Sequence, residues 1–159
     1  MSVQIRPVVY EDLGRVSTLL IRTFDRFLGP EHSAEGVASF HKVASHLSLE
    51  AEFNEGNLML LAEDGDEPAG FLGMKGPRHL KFLFVDEAYH RRGIAARLWA
   101  EAKSRCLERD DGDAPFTVNA SDYALSAYAR LGFHAVAPRT MKDGIVFTPM
   151  HQETGLGPG

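Results

Sequence analysis

The 159-residue sequence contains one cysteine, and none of its apolar runs approaches the length that crosses a membrane. A lone cysteine excludes an internal disulfide framework and agrees with a reducing compartment. The N-terminal stretch lacks the pattern of a signal peptide, so we expect a cytoplasmic protein with no membrane partner. The net charge of −5 argues against a nucleic-acid partner and favours a neutral or cationic one.

A metal site is not indicated either. His32, His41 and His46 are spaced nine and five residues apart. On a helix these spacings turn neighbouring pairs by about 180° and 140°, so the three side chains cannot share one ion from one face. We therefore predict no bound metal and expect these histidines at the solvated surface.

The sequence predicts a single α/β (α+β) domain over residues 1–152, followed by a disordered tail over 153–159 with three glycines and a proline. Apolar periodicity gives the order β-α-α-β-β-β-α-β-α-β-β, a mixed, mostly antiparallel sheet with helices on both faces. Gly70, Gly73 and Gly76 lie in or after a strand pattern and predict bulges or close backbone packing. The predicted elements are strands over 2–8, 57–63, 68–75, 79–85, 116–120, 133–137 and 145–149, and helices over 13–28, 33–51, 94–107 and from 121–122 to about 131.

The chain is organised around residues 79–107. Residues 79–85 form a short apolar run rich in aromatics, which predicts a buried strand. From Ile94 the apolar residues recur at helical spacing, with Gly93 at the first turn. The first N–H groups of a helix lack internal partners, and a glycine lets a phosphate approach them, while the two arginines before it add positive charge. This arrangement predicts an anion site; the alternative is a helix that merely begins after a basic loop.

The loop lacks the Gly-Lys-Ser/Thr end of a P-loop and the three glycines of a dinucleotide turn. Instead, His90-Arg91-Arg92-Gly93-Ile94-Ala95 resembles motif A of the GNAT superfamily of N-acetyltransferases, Gln/Arg-x-x-Gly-x-Gly/Ala. His90 departs from the usual Gln or Arg. Because most pyrophosphate contacts in that family come from backbone amides, the departure affects one side-chain contact more than the site itself.

A second segment, residues 118–133, resembles motif B of the same superfamily. In it Asn119 ends a strand, a short helix presents Tyr128, and Leu131-Gly132-Phe133 closes the motif. Residues 143–150 are similar to the end of certain small bacterial-type members. The resemblance covers nearly the whole chain and is most specific between Phe82 and Phe133.

The resemblance implies the GNAT fold and direct transfer of an acetyl group from acetyl-CoA to a primary amine of a small molecule or peptide. A non-catalytic acetyl-CoA-binding module and an acyltransferase that uses a longer acyl-CoA remain alternatives. Tyr128 would protonate the leaving CoA thiolate, since a phenol of pKa about 10 is protonated at neutral pH. His79 is the candidate general base, unless the amine needs none. The resemblance assigns acetyl-CoA binding to Leu83, Phe84, Val85, His90, Arg91, Arg92, Gly93, Ile94, Ala95, Ala96, Asn119, Ser121 and Tyr123.

The acceptor is the least determined part of the site. In the GNAT fold it lies against the first two helices and the last strands, which here predicts Phe24, Asp25, Phe27 and Glu31, with Glu35 and residues near Met141. Acidic side chains there would suit a cationic amine, although the same charges could simply be solvated. Cys106 lies on the apolar stripe of the 94–107 helix and is predicted to be a buried residue, not an acyl carrier. The sequence leaves monomer and homodimer open.

Overall fold

The computed structural model describes residues 2–154, so the predicted tail lies outside the described residues except for its first two positions. Within that range eight strands form one sheet and five α-helices pack on it. The strands are β1 Val3–Pro7, β2 Met59–Asp64, β3 Glu67–Lys75, β4 His79–Val85, β5 Phe116–Ala120, β6 His134–Ala135, β7 Thr140–Lys142 and β8 Ile145–Gln152. The helices are α1 Leu13–Phe27, α2 Ala34–Val43, α3 His46–Asn54, α4 Ile94–Arg109 and α5 Leu125–Arg130.

The sheet has the order β1-β2-β3-β4-β5-β8-β6, and β7 also pairs with β8. Every pairing is antiparallel except that of β4 with β5. The predicted mixed, mostly antiparallel sheet is therefore confirmed.

Helices cover both faces of the sheet, as the sequence predicted. Buried residues of α1 and α3 form one core with β2, β3 and β4, whereas α4 and α5 contribute to a second core on the opposite face. Cys106 lies in the second core and is 2% exposed, which confirms that it is buried. No helix in residues 2–154 is long and apolar enough to span a membrane.

The single helical region predicted over 33–51 was wrong, because the structure contains two helices there. Ser33 caps α2 by accepting the N–H of Gly36 at 3.1 Å, and Ser45 caps α3 by accepting the N–H of Ser48 at 3.2 Å. The backbone of Ser45 is extended, with φ −65° and ψ 156°. A serine that offers its hydroxyl to the backbone starts a new helix more readily than it continues an old one.

The closing strands also differ from the prediction. The strand expected over 133–137 is reduced to two residues, and the additional strand β7 follows it. Pro138 lies between them and has no N–H for a ladder. β7 and β8 are joined by Asp143 and Gly144, both with positive φ, at 53° and 77°. Two such residues form the tight hairpin turn that matches the twist of antiparallel strands.

A β-bulge in β4 sets the direction of its side chains. Gly73 of β3 pairs with Phe82 and Met74 pairs with Leu80, so Lys81 is an extra residue. As a result Leu80 packs in the core that contains α4 and α5, and Phe82 packs in the core that contains α1 and α3. The register shift between Gly73 and Met74 confirms the bulge predicted as one possibility at this glycine, and a Cβ there would lie 3.2 Å from the Phe82 ring.

Candidate active site

The parallel strands β4 and β5 separate along their length. They pair only at His79 with Thr117 and at Leu80 with Val118, while β5 continues against β8. The edge of β4 from residue 81 to 85 therefore has no strand beside it, and a cavity of about 530 Å³ opens there. Eleven of the predicted site residues line this cavity: Phe24, Phe27, His79, Leu83, Phe84, Val85, His90, Asn119, Ser121, Tyr123 and Tyr128.

Residues 91–93, directly before α4, lie outside the cavity lining and have the form of an anion site. Arg91 and Gly93 both have positive φ, at 64° and 74°. The N–H groups from Gly93 to Ala96 donate to no acceptor within residues 2–154. The position of a Cβ on Gly93 has no atom within 4 Å. Four free N–H groups at the positive end of a 16-residue helix can hold a phosphate or pyrophosphate.

Ion pairs and hydrogen bonds hold this loop against the rest of the fold. Arg22 of α1 forms a salt bridge with Asp86, just after β4. The Tyr89 hydroxyl donates to Asp64 Oδ2 at 3.0 Å, and this hydrogen bond to a carboxylate raises the pKa of Tyr89. The loop is thereby attached to α1 and to β2, and its N–H groups are held in place before any ligand binds.

His90, the position that departs from the family signature, folds back on its own loop. Its Nε2–H donates to the backbone carbonyl of Val85 at 2.8 Å. Its ring lies 5.2 Å from that of Phe27, which in turn stacks on Tyr123 at 5.3 Å. We call residues 90–93 the anion loop. The three rings thus link α1, the anion loop and the segment after β5 along one side of the cavity.

Tyr128 is 9% exposed and lines the cavity from α5. Its ring contacts Phe133 edge-on at 5.7 Å, and its hydroxyl forms no hydrogen bond with any residue from 2 to 154. Burial raises the pKa of the phenol, so the hydroxyl is protonated at neutral pH. Ser121 does not cap α5 as predicted, because it accepts the N–H of Ala124 in a turn that precedes the helix.

A glutamine that the sequence did not suggest fixes the end of α5. Gln152 Oε1 accepts the indole N–H of Trp99 at 2.9 Å, and Gln152 Nε2 donates to the Leu131 carbonyl at 2.6 Å. A Cβ on Gly132 would lie 2.1 Å from that Nε2, and Gly132 has φ +106°. The glycine of the Leu-Gly-Phe segment is therefore needed for its backbone conformation, and a side chain there would also displace the amide of Gln152.

His79 lies where β4 and β5 still pair. Its Nδ1 hydrogen bonds with Thr117 Oγ1 at 2.7 Å. Burial, with a smaller contribution from Lys81, lowers the pKa of His79. The imidazole is therefore neutral at pH 7 and can accept a proton, although as a weaker base than a free histidine.

Only some of the predicted acceptor residues line the cavity. Phe24 and Phe27 line it, whereas Asp25 and Glu31 do not. Asp25 accepts a 2.7 Å hydrogen bond from His41 Nε2, and Glu31 is exposed. Glu35 and Met141 are likewise exposed and outside the lining, whereas Lys142 and Asp143, which follow Met141, line the cavity.

The lining residues that were not predicted from the sequence include Phe40, Phe147 and His32. Phe40 stacks on Phe24 at 4.0 Å, on the inward face of α2. The expectation of a solvated surface was wrong for His32. Its Nδ1–H donates to the Leu28 carbonyl at 2.8 Å, and its Nε2 is shielded from solvent with no hydrogen-bond partner in the described structure.

Comparison with known proteins identifies the family. A family model described as "Acetyltransferase (GNAT) domain" matches residues 28–154. The chain belongs to the GNAT acetyltransferases. Family membership indicates acyl transfer. No curated protein matches the chain in sequence. Residues 2–154 contain no group of three or more His, Cys, Asp or Glu side chains that could hold a metal ion.

Solved GNAT structures share the fold over nearly the whole chain. A GCN5-related N-acetyltransferase from Rhodopseudomonas palustris has TM-score 0.82 and 23% identity, covering 96% of both chains. PaiA N-acetyltransferase from Thermoplasma acidophilum, in complex with coenzyme A, has TM-score 0.80 and 19% identity, covering 96% of this chain and 99% of its own. The putative acetyltransferase YncA from Salmonella typhimurium, with acetyl-CoA, has TM-score 0.72 and 14% identity, covering 100% and 98%.

Proposed function

We propose that this GNAT protein is an acetyl-CoA-dependent N-acetyltransferase that acts directly on a primary amine of a small molecule or peptide. The observation that carries the proposal is the grouping of three features around one cavity: the anion site at the start of α4, the unpaired edge of β4, and the buried Tyr128. Acetyl-CoA needs a partner for its diphosphate, for the amides of its pantetheine arm, and for its leaving sulfur.

The chain offers groups for each part of the donor. The free N–H groups of residues 93–96 suit the diphosphate, with Arg91 and Arg92 adjacent in the sequence. The edge of β4 from residue 81 to 85 can hydrogen bond the pantetheine amides in the way that a sheet accepts an added strand. The side-chain amide of Asn119 lines the cavity and is available for the same arm. Acetyl-CoA, when bound, supplies the activated acetyl group.

In the proposed reaction the amine nitrogen forms a bond to the acetyl carbon, the carbon–sulfur bond breaks, and the sulfur leaves with the bonding electron pair. Tyr128 donates its proton to that sulfur and recovers one from solvent. The phenol is protonated at neutral pH, which is the state a general acid needs, and burial raises its pKa so that it stays protonated in more alkaline solution as well. The nitrogen loses one proton, and His79 is the candidate group that accepts it, since its lowered pKa leaves the ring neutral at pH 7.

Two measurements test this function. Calorimetry with acetyl-CoA checks donor binding, and detection of free thiol checks turnover against a panel of amines, amino acids, polyamines, aminoglycosides and peptides. We expect binding of acetyl-CoA and CoA release that depends on an added amine. Binding without release from any amine would favour a non-catalytic module, and faster turnover of a longer acyl-CoA would favour the other alternative.

A further inference from the structure

One wall of the cavity is apolar and aromatic. α1 and α2 contribute Phe24 and Phe40, β4 contributes Phe82, and β8 contributes Phe147. Phe40 joins two of the others, because its ring stacks on Phe24 at 4.0 Å and meets that of Phe82 edge-on at 6.2 Å. Phe147 lines the same cavity from β8. We call these four phenylalanines the aromatic wall. Such a wall binds apolar groups. It offers a charged group no hydrogen bonds to replace those with water.

Two lysines that line the cavity are paired with carboxylates outside its lining. Lys75 and Lys81 both line the cavity, and their Nζ atoms lie 3.2 Å and 3.1 Å from Glu52 Oε1. Lys75 also pairs with Glu55 at 2.8 Å. Two lysines therefore face two glutamates. The remaining charged lining residues, Lys142 and Asp143, are adjacent in the sequence and opposite in sign.

The acidic residues that would have recognised a cationic acceptor are directed elsewhere. Asp25 follows Phe24 by one residue, so it lies about 100° around α1 from the aromatic wall. It pairs with His41 instead of the cavity. This part of the site has no excess of either charge.

The β7–β8 turn closes the cavity against α2. A Cβ on Gly36 would lie 2.2 Å from the carbonyl oxygen of Gly144, so the two backbones are in direct contact. Ser39 Oγ donates to the Asp143 carbonyl at 2.8 Å beside that contact. Because α2 and the turn both line the cavity and touch each other, they close it on this side. The closure limits the size of any acceptor.

We propose that the acceptor is a small primary amine on an uncharged aromatic or branched apolar body, packed on the aromatic wall. This inference rests on the proposed function and narrows its substrate class. A carboxylate on the acceptor would lose hydration at the wall without gaining a partner, and a second ammonium group would gain at most a hydrogen bond to His32 Nε2. The contact of Gly36 with Gly144 excludes acceptors that extend past the turn.

Three acceptors that differ in one feature test the proposal on the wild-type protein. They are 2-phenylethylamine, phenylalanine, which adds a carboxylate to the same body, and 1,4-diaminobutane, which replaces the ring with a second amine. We expect kcat/KM for 2-phenylethylamine to exceed each of the others at least tenfold. Equal or faster turnover of either charged acceptor would overturn the inference and leave the acetyltransferase function intact. If no amine in the broad panel produced CoA release, the acetyltransferase function itself would be contradicted.

A substitution in the aromatic wall tests the same proposal, because it should change which acceptor is preferred. Phe147→Glu should lower kcat/KM for 2-phenylethylamine at least tenfold and raise it for 1,4-diaminobutane, with acetyl-CoA affinity unchanged. Val136→Glu is the matched control, because Val136 is 44% exposed and outside the cavity lining, so both values should stay within twofold. Phe147→Leu keeps the wall apolar and should retain the preference. If Phe147→Glu preferred 2-phenylethylamine over 1,4-diaminobutane as strongly as the wild type does, the aromatic wall would not determine acceptor specificity.

Discussion

His90 donates its Nε2–H to the backbone carbonyl of Val85, closing the turn between the end of β4 and the start of α4. The GNAT signature has Gln or Arg at this position, and here the side chain supports the loop from within. Its ring also packs at 5.2 Å against Phe27 of α1. The shape of the anion loop therefore depends on His90 although the loop's N–H groups come from other residues.

Replacing His90 with alanine should weaken acetyl-CoA binding by about 2- to 10-fold, because one hydrogen bond contributes roughly 0.5–1.5 kcal/mol. Calorimetry at pH 7.5 gives the affinity directly. His46→Ala is the control, since His46 is exposed and lies outside the cavity lining. Equal affinities in the two variants would show that the loop keeps its shape without His90.

Gly93→Glu should abolish acetyl-CoA binding. The substitution forces a side chain into φ +74° and places a negative charge at the N–H groups that the diphosphate needs. Gly56→Glu is the matched control, because Gly56 has φ +81°, an open Cβ position and no place in the cavity lining. It should cost similar stability and keep donor affinity. If Gly93→Glu also kept that affinity, the diphosphate would bind elsewhere.

The elements around the anion loop could be predicted because each is encoded by local sequence. β4 and β5 agree with the predicted bounds of 79–85 and 116–120, and α4 begins at Ile94 as expected. Apolar period, a glycine and turn residues suffice for such segments. The break at Ser45 was missed because a capping serine competes with a helical pattern that continues on both sides of it.

The acceptor wall could not be predicted in the same way. It is closed by contact between Gly36 and Gly144, which are far apart in the sequence and carry no shared local signal. Asp25 could have been assigned outward from Phe24 by helical rotation alone. Nothing in the sequence shows that Lys75 and Lys81 both pair with Glu52.

Asp12 should make stability depend on pH. It is 4% exposed and accepts hydrogen bonds from Arg6 and Arg15, and the bond from Arg6 contributes most to lowering the pKa of Asp12. The unfolded carboxyl ionises near pH 4, so this stabilisation is complete above about pH 4 and is lost as the pH falls toward the lower folded value.

Asp12→Asn should therefore cost on the order of 2 kcal/mol of unfolding free energy at pH 7, less than a fully buried pair because both arginines are more than a third exposed. The difference from wild type should narrow between pH 4 and pH 3 in urea titrations. Asp25→Asn is the control, since its pair with His41 is exposed. A difference that stays constant down to pH 3 would contradict the assignment.

Cys106→Ala should keep full activity and lose about 1 kcal/mol of stability, because the buried thiol leaves a small cavity. Burial also raises the pKa of the thiol, which makes it a poor nucleophile. Thiol-release kinetics and thermal melts check both parts. Mass spectrometry that detects an acetyl adduct on Cys106, consumed when amine is added, would replace direct transfer with a two-step mechanism.

Tyr128 is the proposed proton donor to the leaving sulfur, and Tyr128→Phe removes that proton while it keeps the ring. The hydroxyl forms no hydrogen bond within residues 2–154, so its removal should leave the packing against Phe133 and the acetyl-CoA affinity nearly unchanged. We predict a fall in kcat of roughly 10²–10⁴, and a smaller fall with an acyl donor whose thiol is more acidic. Tyr10→Phe, at an exposed tyrosine, should match wild type. A kcat for Tyr128→Phe close to wild type, at equal donor affinity, would contradict the account and leave Tyr128 a structural residue.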